Sequence, residues 1–358
     1  MPSLKEIKGR INSISSTLAI TSAMKMVAAA KLQKAQMAIQ NMLPYERRLH
    51  SMLIDLMGAM NISAAASEDG SVRGSGSAER GFDQSGDRLS LSNRHDLVGM
   101  DGAYSLMAQR EVRKVAIVAF ASNSSLCGAF NSNVIREATA VINEYRASGL
   151  GDADITVYSV GRKMAEAMKK LGFPSPADFT KMSDSPSYDA ASALAQELFD
   201  GFVSGRFDKV ELVYNHYKST SSQPTTRQTY LPLSLADATA DLQAGKIADS
   251  ASESDTNRGA EPVGAPVVRQ GSPTTEDLIV EPSKEALIAT LLPKVIRLRI
   301  FTTLLDSAAA EHAARTVAMQ LATDNGNDLL QELTLEYNKG RQQKITSEIL
   351  DLVGGSLQ

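Results

Sequence analysis

The sequence predicts an α/β protein in which a long antiparallel two-helix coiled coil from both termini carries an α/β domain. Three observations lead to this fold class. Apolar residues repeat with heptad spacing through residues 1–57, residues 283–358 return to a helical apolar pattern, and predicted strands alternate with helices through residues 112–234. Neither long helix can bury its apolar seam alone, so we expect the two helices to pack against each other.

The N-terminal helix is predicted from a heptad seam. Steps of three and four residues from Leu4 reach twelve positions, and ten of them are apolar. Such a seam is typical of a coiled coil rather than of an ordinary amphipathic helix. Pro44 is expected to kink or briefly break the helix because proline lacks the backbone donor. The seam consists of Leu4, Ile7, Ile11, Ile14, Leu18, Thr21, Lys25, Ala28, Leu32, Ala35, Ile39 and Met42, and Leu49, Leu53 and Leu56 continue it.

Two segments of low complexity interrupt this pattern. Residues 58–111 hold many glycines among serine and charged residues, which predicts a flexible connection. Residues 235–282 contain nine acidic and three basic residues, which predicts an acidic, solvated insertion.

Residues 112–234 are predicted to form a Rossmann-like α/β domain. Continuous apolar, β-branched runs indicate buried parallel strands, and helical patterns separate them. Alternation of this kind predicts right-handed βαβ units in a doubly wound sheet. Strands are expected at 112–120, 155–160 and 210–214, an edge strand that contains Pro232 at 226–233, and helices at 133–146, 163–171 and 188–203.

The C-terminal helix is predicted over residues 283–358. Ser283 suits an N-cap, and Gly354 and Gly355 are expected to end the helix. Short polar residues at 323–328 are expected to interrupt it, because they compete for backbone hydrogen bonds. Its apolar residues are Leu291, Val295, Leu298, Leu305, Met319, Leu330, Leu333, Tyr337, Ile345, Ile349 and Leu352.

The composition argues against several classes of function. A formal net charge of -4 does not suit a strongly basic nucleic-acid-binding protein. A single cysteine, Cys127, excludes an internal disulfide framework, and the four histidines follow no metal-binding motif. The sequence contains no run of about 18 apolar residues, the length that a helix needs to span a bilayer. The N-terminus resembles neither a secretory nor a transit signal, so a reducing, cytosol-facing compartment is expected.

Residues 121–131 stand where a Rossmann domain would hold a nucleotide, between a strand and a helix. They do not contain G-x-G-x-x-G, and G-x-x-x-x-G-K-[ST] is found nowhere in the chain. A tight turn is therefore favoured over a phosphate site, and no cofactor is expected. Cys127 could be a nucleophile, but a lone cysteine is more often a small buried apolar residue.

The N-terminal helix is basic. Residues 1–48 contain eight basic and two acidic residues, which indicates either a solvated helix face or a stripe that faces an acidic partner. Lys25 lies on the seam itself, beside Met24 and Met26. Because a lysine destabilises a closed seam, the helix is expected to face something besides its partner helix there.

Several separated segments together resemble the gamma subunits of F-type ATP synthases. The N-terminal match covers residues 4–8 and 20–31, the latter reading ITSAMKMVAAAK, and the central match is SLCGAFN at 125–131. The strongest match comprises residues 311–319, 322–325, 332–339, 341–342 and 345–351. The agreement in order and spacing extends over nearly the whole chain, except for the two low-complexity segments.

This resemblance implies a non-catalytic central-stalk rotor that couples ion-driven rotation of a membrane ring to ATP synthesis. The implied partners are the alpha and beta subunits of the catalytic ring, the epsilon subunit and the ring of c subunits, without nucleic acid. Membrane contact would come only through the complex, as a peripheral protein at the cytoplasmic face of the bacterial plasma membrane. The residues that the resemblance and the basic stripe place at contacts with partners are Met24, Lys25, Arg315, Arg341, Gln342, Thr346 and Glu348.

Two other interpretations remain open at this point. One is a nucleotide-binding α/β enzyme with a helical arm, which binding of labelled ATP or NAD would reveal. The other is a static coiled-coil scaffold, which would not purify as a single-copy subunit of a membrane-detachable ATPase.

Overall fold

The computed structural model describes residues 3–59, 110–233 and 284–356. Three predicted features lie outside the described residues: most of the connection at 58–111, the whole acidic insertion at 235–282, and the N-cap Ser283.

Two long helices form an antiparallel pair, as the heptad seam predicts. Helix α1 is Leu4–Ala59, and the C-terminal helix, α6, is Lys284–Ser356. Leu4 lies beside Gly340, Leu18 lies beside Gly326, and the hydroxyls of Thr21 and Thr323 are 3.0 Å apart. One residue number falls as the other rises, so the helices run in opposite directions. All twelve seam positions from Leu4 to Met42 are buried or half-buried, which confirms the seam.

The predicted interruptions of the helices do not occur. Helix α1 continues through Pro44, and α6 continues through residues 323–328. Helix α6 also passes Gly354 and Gly355, where its end was predicted. At Pro44 and at residues 323–328, packing along the partner helix stabilises the helical backbone more than local propensity opposes it.

Two residues of the segment 323–328, Thr323 and Gly326, contribute to the helix pair. The Thr323 hydroxyl donates to the Met319 carbonyl at 2.8 Å and lies against Thr21. A Cβ added at Gly326 would lie 2.6 Å from Leu18 Cδ2, so the missing side chain lets the helices approach closely.

The α/β domain contains one four-stranded sheet in the order β2-β1-β3-β4. Strands β1, β2 and β3 are parallel, as predicted, and β4 lies at the predicted edge of the sheet, where it pairs antiparallel with β3. The strands are β1 Val115–Phe120, β2 Ile155–Val160, β3 Lys209–Asn215 and β4 Thr225–Leu231, and the helices are α2 Phe130–Ala147, α3 Arg162–Lys170, α4 Thr180–Asp184 and α5 Tyr188–Val203.

The sheet packs on both faces. Helices α2 and α3 cover one face around Val115, Ile142 and Met164. Helix α5, the first part of α6 and Leu49 and Leu53 of α1 cover the other face. Helix α6 therefore serves both as half of the helix pair and as a layer of the α/β domain, which confirms the predicted fold class.

Candidate functional site

The end of α6 projects beyond its partner helix. Helix α1 begins at Leu4, which lies opposite Gly340, so residues 341–356 extend past it by about 24 Å. Every residue from 341 to 350 is exposed. This projecting end, residues 341–356, is one continuous helix that extends beyond the start of α1.

Apolar side chains cover much of the projecting end. The prediction that Ile345, Ile349 and Leu352 pack on the partner helix is wrong, because α1 has no residue opposite them. Leu352 is 75% exposed and Leu350 is 65% exposed. Exposed apolar residues in a continuous group mark a surface that contacts another molecule.

Four of the predicted contact residues lie on this projecting end. Arg341 makes no hydrogen bond or ion pair within the described residues. The Thr346 hydroxyl donates to the Gln342 carbonyl at 2.9 Å, and Glu348 lies 3.8 Å from the Lys344 ammonium. All four side chains are exposed, so their role as partner contacts stays a prediction that their position permits.

Met24 and Lys25 lie elsewhere, along the side of the helix pair. Lys25 is half-buried at the seam, and Met24 is 42% exposed. Met24 shares one exposed face of α1 with Ile20 and Val27, at helical spacing. The structure thus places an exposed apolar strip beside the seam lysine.

Arg315 is separate from the other predicted contact residues. Its guanidinium donates to the Ser125 carbonyl at 2.6 Å, to the Ser124 hydroxyl at 2.9 Å and to Glu311 at 2.7 Å. Burial raises the pKa of Glu311, and Arg315 opposes that shift. Arg315 ties α6 to the loop after β1, and its predicted contact with another subunit stays a prediction.

The crevice at the carboxyl ends of β1 and β3, where a Rossmann domain would bind a nucleotide, is occupied by α6. Cys127 and Phe130 pack against Ala310 of α6. The Asn131 amide nitrogen lies 3.1 Å from Cys127 Sγ, and the amide oxygen accepts from the Ser122 backbone at 3.0 Å. The cavity beside this loop holds no more than about one water molecule. This packing favours a structural turn and a structural Cys127.

Sequence reasoning missed the contact between α6 and the loop after β3. Asp306 accepts hydrogen bonds from His216 and from the backbone of Tyr217, although about 90 positions separate them. No local pattern marks such a contact, because only the fold brings the two segments together.

His312 is expected to make the protein less stable in mild acid. Burial and the nearby cations Lys31 and Arg315 lower its pKa to about 4, and its Nδ1 has no hydrogen-bond partner within the described residues. An unfolded histidine titrates near 6.5, so the unfolded chain binds more protons between pH 6.5 and 4. The stability that neutral His312 contributes is therefore complete above pH 6.5 and is lost as the pH falls.

Urea unfolding between about pH 5 and 6.5 tests this expectation. The free energy of unfolding should fall less steeply toward acid in His312→Gln than in the wild type. His216→Gln is the matched control. Its hydrogen bond with Asp306 raises the pKa of His216, so that residue changes stability mainly above pH 6.5. Equal slopes for the wild type and His312→Gln would contradict the assignment.

Two further features of the described residues bear on function. None of the helices in the described ranges is long and apolar enough to cross a membrane. Across those same ranges, no three His, Cys, Asp or Glu residues are grouped so that they could hold a metal ion.

Comparison with known proteins gives consistent matches along the whole chain. A family model described as ATP synthase matches residues 3–357. An ATP synthase gamma chain of Phocaeicola vulgatus is 46% identical over 357 residues, and that of Bacteroides thetaiotaomicron is 45% identical over 358, each covering 100% of both chains. The gamma chain of Flavobacterium johnsoniae is 36% identical over 356 residues, covering 99% of this chain and 98% of the relative.

A solved structure shares the fold. One chain of a Euglena gracilis mitochondrial ATP synthase structure, described as OSCP/F1/c-ring in rotational state 3, aligns with a TM-score of 0.51 at 18% identity. The alignment covers 98% of this chain and 92% of the other.

Proposed function

The chain belongs to the ATP synthase gamma-chain family, and from that premise we propose that its helix pair turns inside the catalytic ring as the shaft of the rotor. As a gamma chain it is a non-catalytic, central-stalk rotor subunit of the ATP synthase complex. The proposal assigns the helix pair to the ring of alpha and beta subunits. It assigns the α/β domain to the epsilon subunit and the ring of c subunits.

The observation that carries this proposal is the projecting end of α6. A shaft must reach into a ring and touch it without being held in one orientation. A single helix with exposed apolar residues at 345, 349 and 352 suits a low-friction contact with an apolar collar, because apolar contact is non-directional. The helix pair behind it is long and continuous, which suits the transmission of torque.

The polar residues on the projecting end suit transient contacts. Arg341 offers a planar fork of donors that fits a carboxylate of a neighbouring beta subunit. An exposed pair of this kind contributes only about 0.2–1 kcal/mol, too little to hold the shaft in one position. Gln342, Thr346 and Glu348 lie within two turns of Arg341 and complete the proposed polar contact. Met24 and Lys25 are proposed to contact the ring further along the helix pair, and Arg315 beside the α/β domain.

The complex is proposed to work at the cytoplasmic face of the bacterial inner membrane. The relatives with the matches described above are bacterial gamma chains. The gamma chain would be peripheral there, held through the c ring.

Arg341→Ala is expected to slow ATP-driven rotation and proton pumping by up to about fivefold, the rate equivalent of one exposed ion pair. Thermal stability and subunit stoichiometry should stay at wild-type values, because the Arg341 side chain is exposed. Pumping in inverted vesicles, bead rotation and a stained gel of the purified complex measure these quantities.

Arg136→Ala is the control, since Arg136 is an exposed arginine on α2, away from the helix pair. Normal rotation in Arg341→Ala would contradict its assignment as a contact, and loss of assembly would show a structural role instead. A wild-type complex that hydrolyses ATP but does not turn a bead fixed to this chain would contradict the proposed function itself.

A further inference from the structure

The loop that joins β3 to β4, residues 216–224, binds α6 through the carboxylate of Asp306. His216 Nδ1 lies 2.6 Å from Asp306 Oδ2, and the Tyr217 backbone N–H donates to Asp306 Oδ1 at 2.9 Å. Two consecutive loop residues thus engage both oxygens of Asp306. Such two-point contact fixes the orientation of the loop on the helix as well as its distance.

Tyr217 extends the same contact to α1. The Gln36 amide of α1 donates to the Tyr217 hydroxyl at 2.6 Å. The Tyr217 side chain also packs against two small apolar clusters, one around Leu32 and Ala309 and one around Cys127. A single side chain therefore contacts both helices of the pair and the α/β domain.

Hydrogen bonds within the loop hold its conformation. The His216 backbone N–H donates to the Pro224 carbonyl at 2.9 Å, and the Gln223 amide donates to the carbonyls of Thr220 at 2.7 Å and Ser219 at 3.0 Å. Because the loop is closed by these bonds, a force on Asp306 passes into β3 and β4 instead of bending the loop.

The hydrogen bonds to Asp306 lie at a place where the α/β domain could otherwise twist on α6. Part of the interface between the α/β domain and α6 is an apolar zone around Leu292, Ile296 and Leu304, and single side chains such as Arg297 and Arg315 add hydrogen bonds elsewhere along α6. Apolar packing resists separation of two surfaces, but it is non-directional and resists sliding less. Hydrogen bonds weaken steeply when their angles change, so they oppose a twist. Asp306 lies just beyond Leu304, at the margin of the apolar zone.

We propose that Asp306, His216, Tyr217 and Gln36 form a clamp that locks the α/β domain against twisting about the helix pair. These are positioning residues: they hold the domain that receives torque in register with the shaft that delivers it. This inference rests on the proposed rotor function, since torque crosses the interface only if the chain rotates.

The test uses the assembled complex with alpha and beta subunits, a bead fixed to the α/β domain through Asn143→Cys, and the variants Asp306→Ala and Tyr217→Phe. Both variants should widen the angular distribution of the bead during pauses. The ATP hydrolysis rate without a bead should stay at the wild-type value, because the catalytic ring does not depend on the clamp. In Asp306→Ala, the Tyr217 amide should exchange its hydrogen about 10- to 100-fold faster, as expected when a charge-assisted hydrogen bond is lost.

Asp328→Ala is the matched control, an exposed carboxylate on α6 outside the domain interface. Angular distributions as narrow as that of the wild type in both clamp variants would overturn the clamp, as would equal widening in Asp328→Ala. If Asp306→Ala fails to assemble, Tyr217→Phe decides, since it removes only one hydroxyl. A wild-type bead that does not rotate would contradict the rotor function, whereas a rotating wild type with unchanged variants contradicts only the clamp.

Discussion

Gly161→Ala should destabilise the α/β domain by about 3–5 kcal/mol, the sum of backbone strain and a clash. Gly161 joins β2 to α3 with φ 96°, a conformation that residues with a Cβ rarely adopt. An added Cβ would lie 2.0 Å from the Ala121 carbonyl oxygen. That oxygen accepts from the Ser183 hydroxyl at 3.0 Å, and the Ala121 N–H donates to Val160 at 2.8 Å, so the backbone there has little room to move.

Gly172→Ala separates the two causes. Gly172 has φ 92°, but an added Cβ would meet no atom of the described residues within 4 Å. This variant should lose only about 1–2 kcal/mol, from backbone strain alone. Urea unfolding followed by circular dichroism measures both values. Equal losses for the two variants would show that the neighbouring backbone adjusts and that the clash has no effect.

Leu292→Ala is expected to lower the free energy of unfolding by about 3–5 kcal/mol. Leu292 of α6 is fully buried where the sheet, α5 and the end of α1 meet. Removing the side chain leaves a cavity that the surrounding strands and helices cannot fill, because each is held by its own hydrogen bonds. The helix propensity of alanine recovers only a small part of the loss.

Leu335→Ala makes the same chemical change on the same helix, at a position that is 65% exposed. Its stability should stay within about 0.5 kcal/mol of the wild type. Thermal unfolding of both variants, with the wild type alongside, provides the comparison. A loss in Leu335→Ala as large as that in Leu292→Ala would show that helix formation, and not burial, determines the effect.

The elements of this fold were largely predictable because they depend on patterns close in sequence. The helix predicted at 188–203 agrees with α5, and the strand predicted at 155–160 agrees with β2. The heptad seam of α1 also follows from local spacing, since a helix repeats its faces every three to four residues. The predicted breaks failed for the same reason. Local patterns include Pro44 and the polar residues at 323–328, which oppose a helix. They do not include the partner helix, whose packing stabilises the helical backbone at both places.

For the candidate site too, the sequence predicted some features and not others. The identity of the polar residues at 341–348 could be read from the sequence, through resemblance. Their exposure could not, because it depends on where α1 begins relative to α6. The partners of Arg315 and Asp306 were equally hidden, since each bond joins segments about 90 or more positions apart.

The sequence by itself determined the helix pair, the order of strands and helices, and the family, because period, propensity and motif are properties of neighbouring residues. Only the tertiary structure decided which part of α6 projects, which residues fill the crevice of the α/β domain, and how that domain is fixed to the helix pair. These features depend on burial and on directional hydrogen bonds between distant segments, and both exist only when the chain has folded.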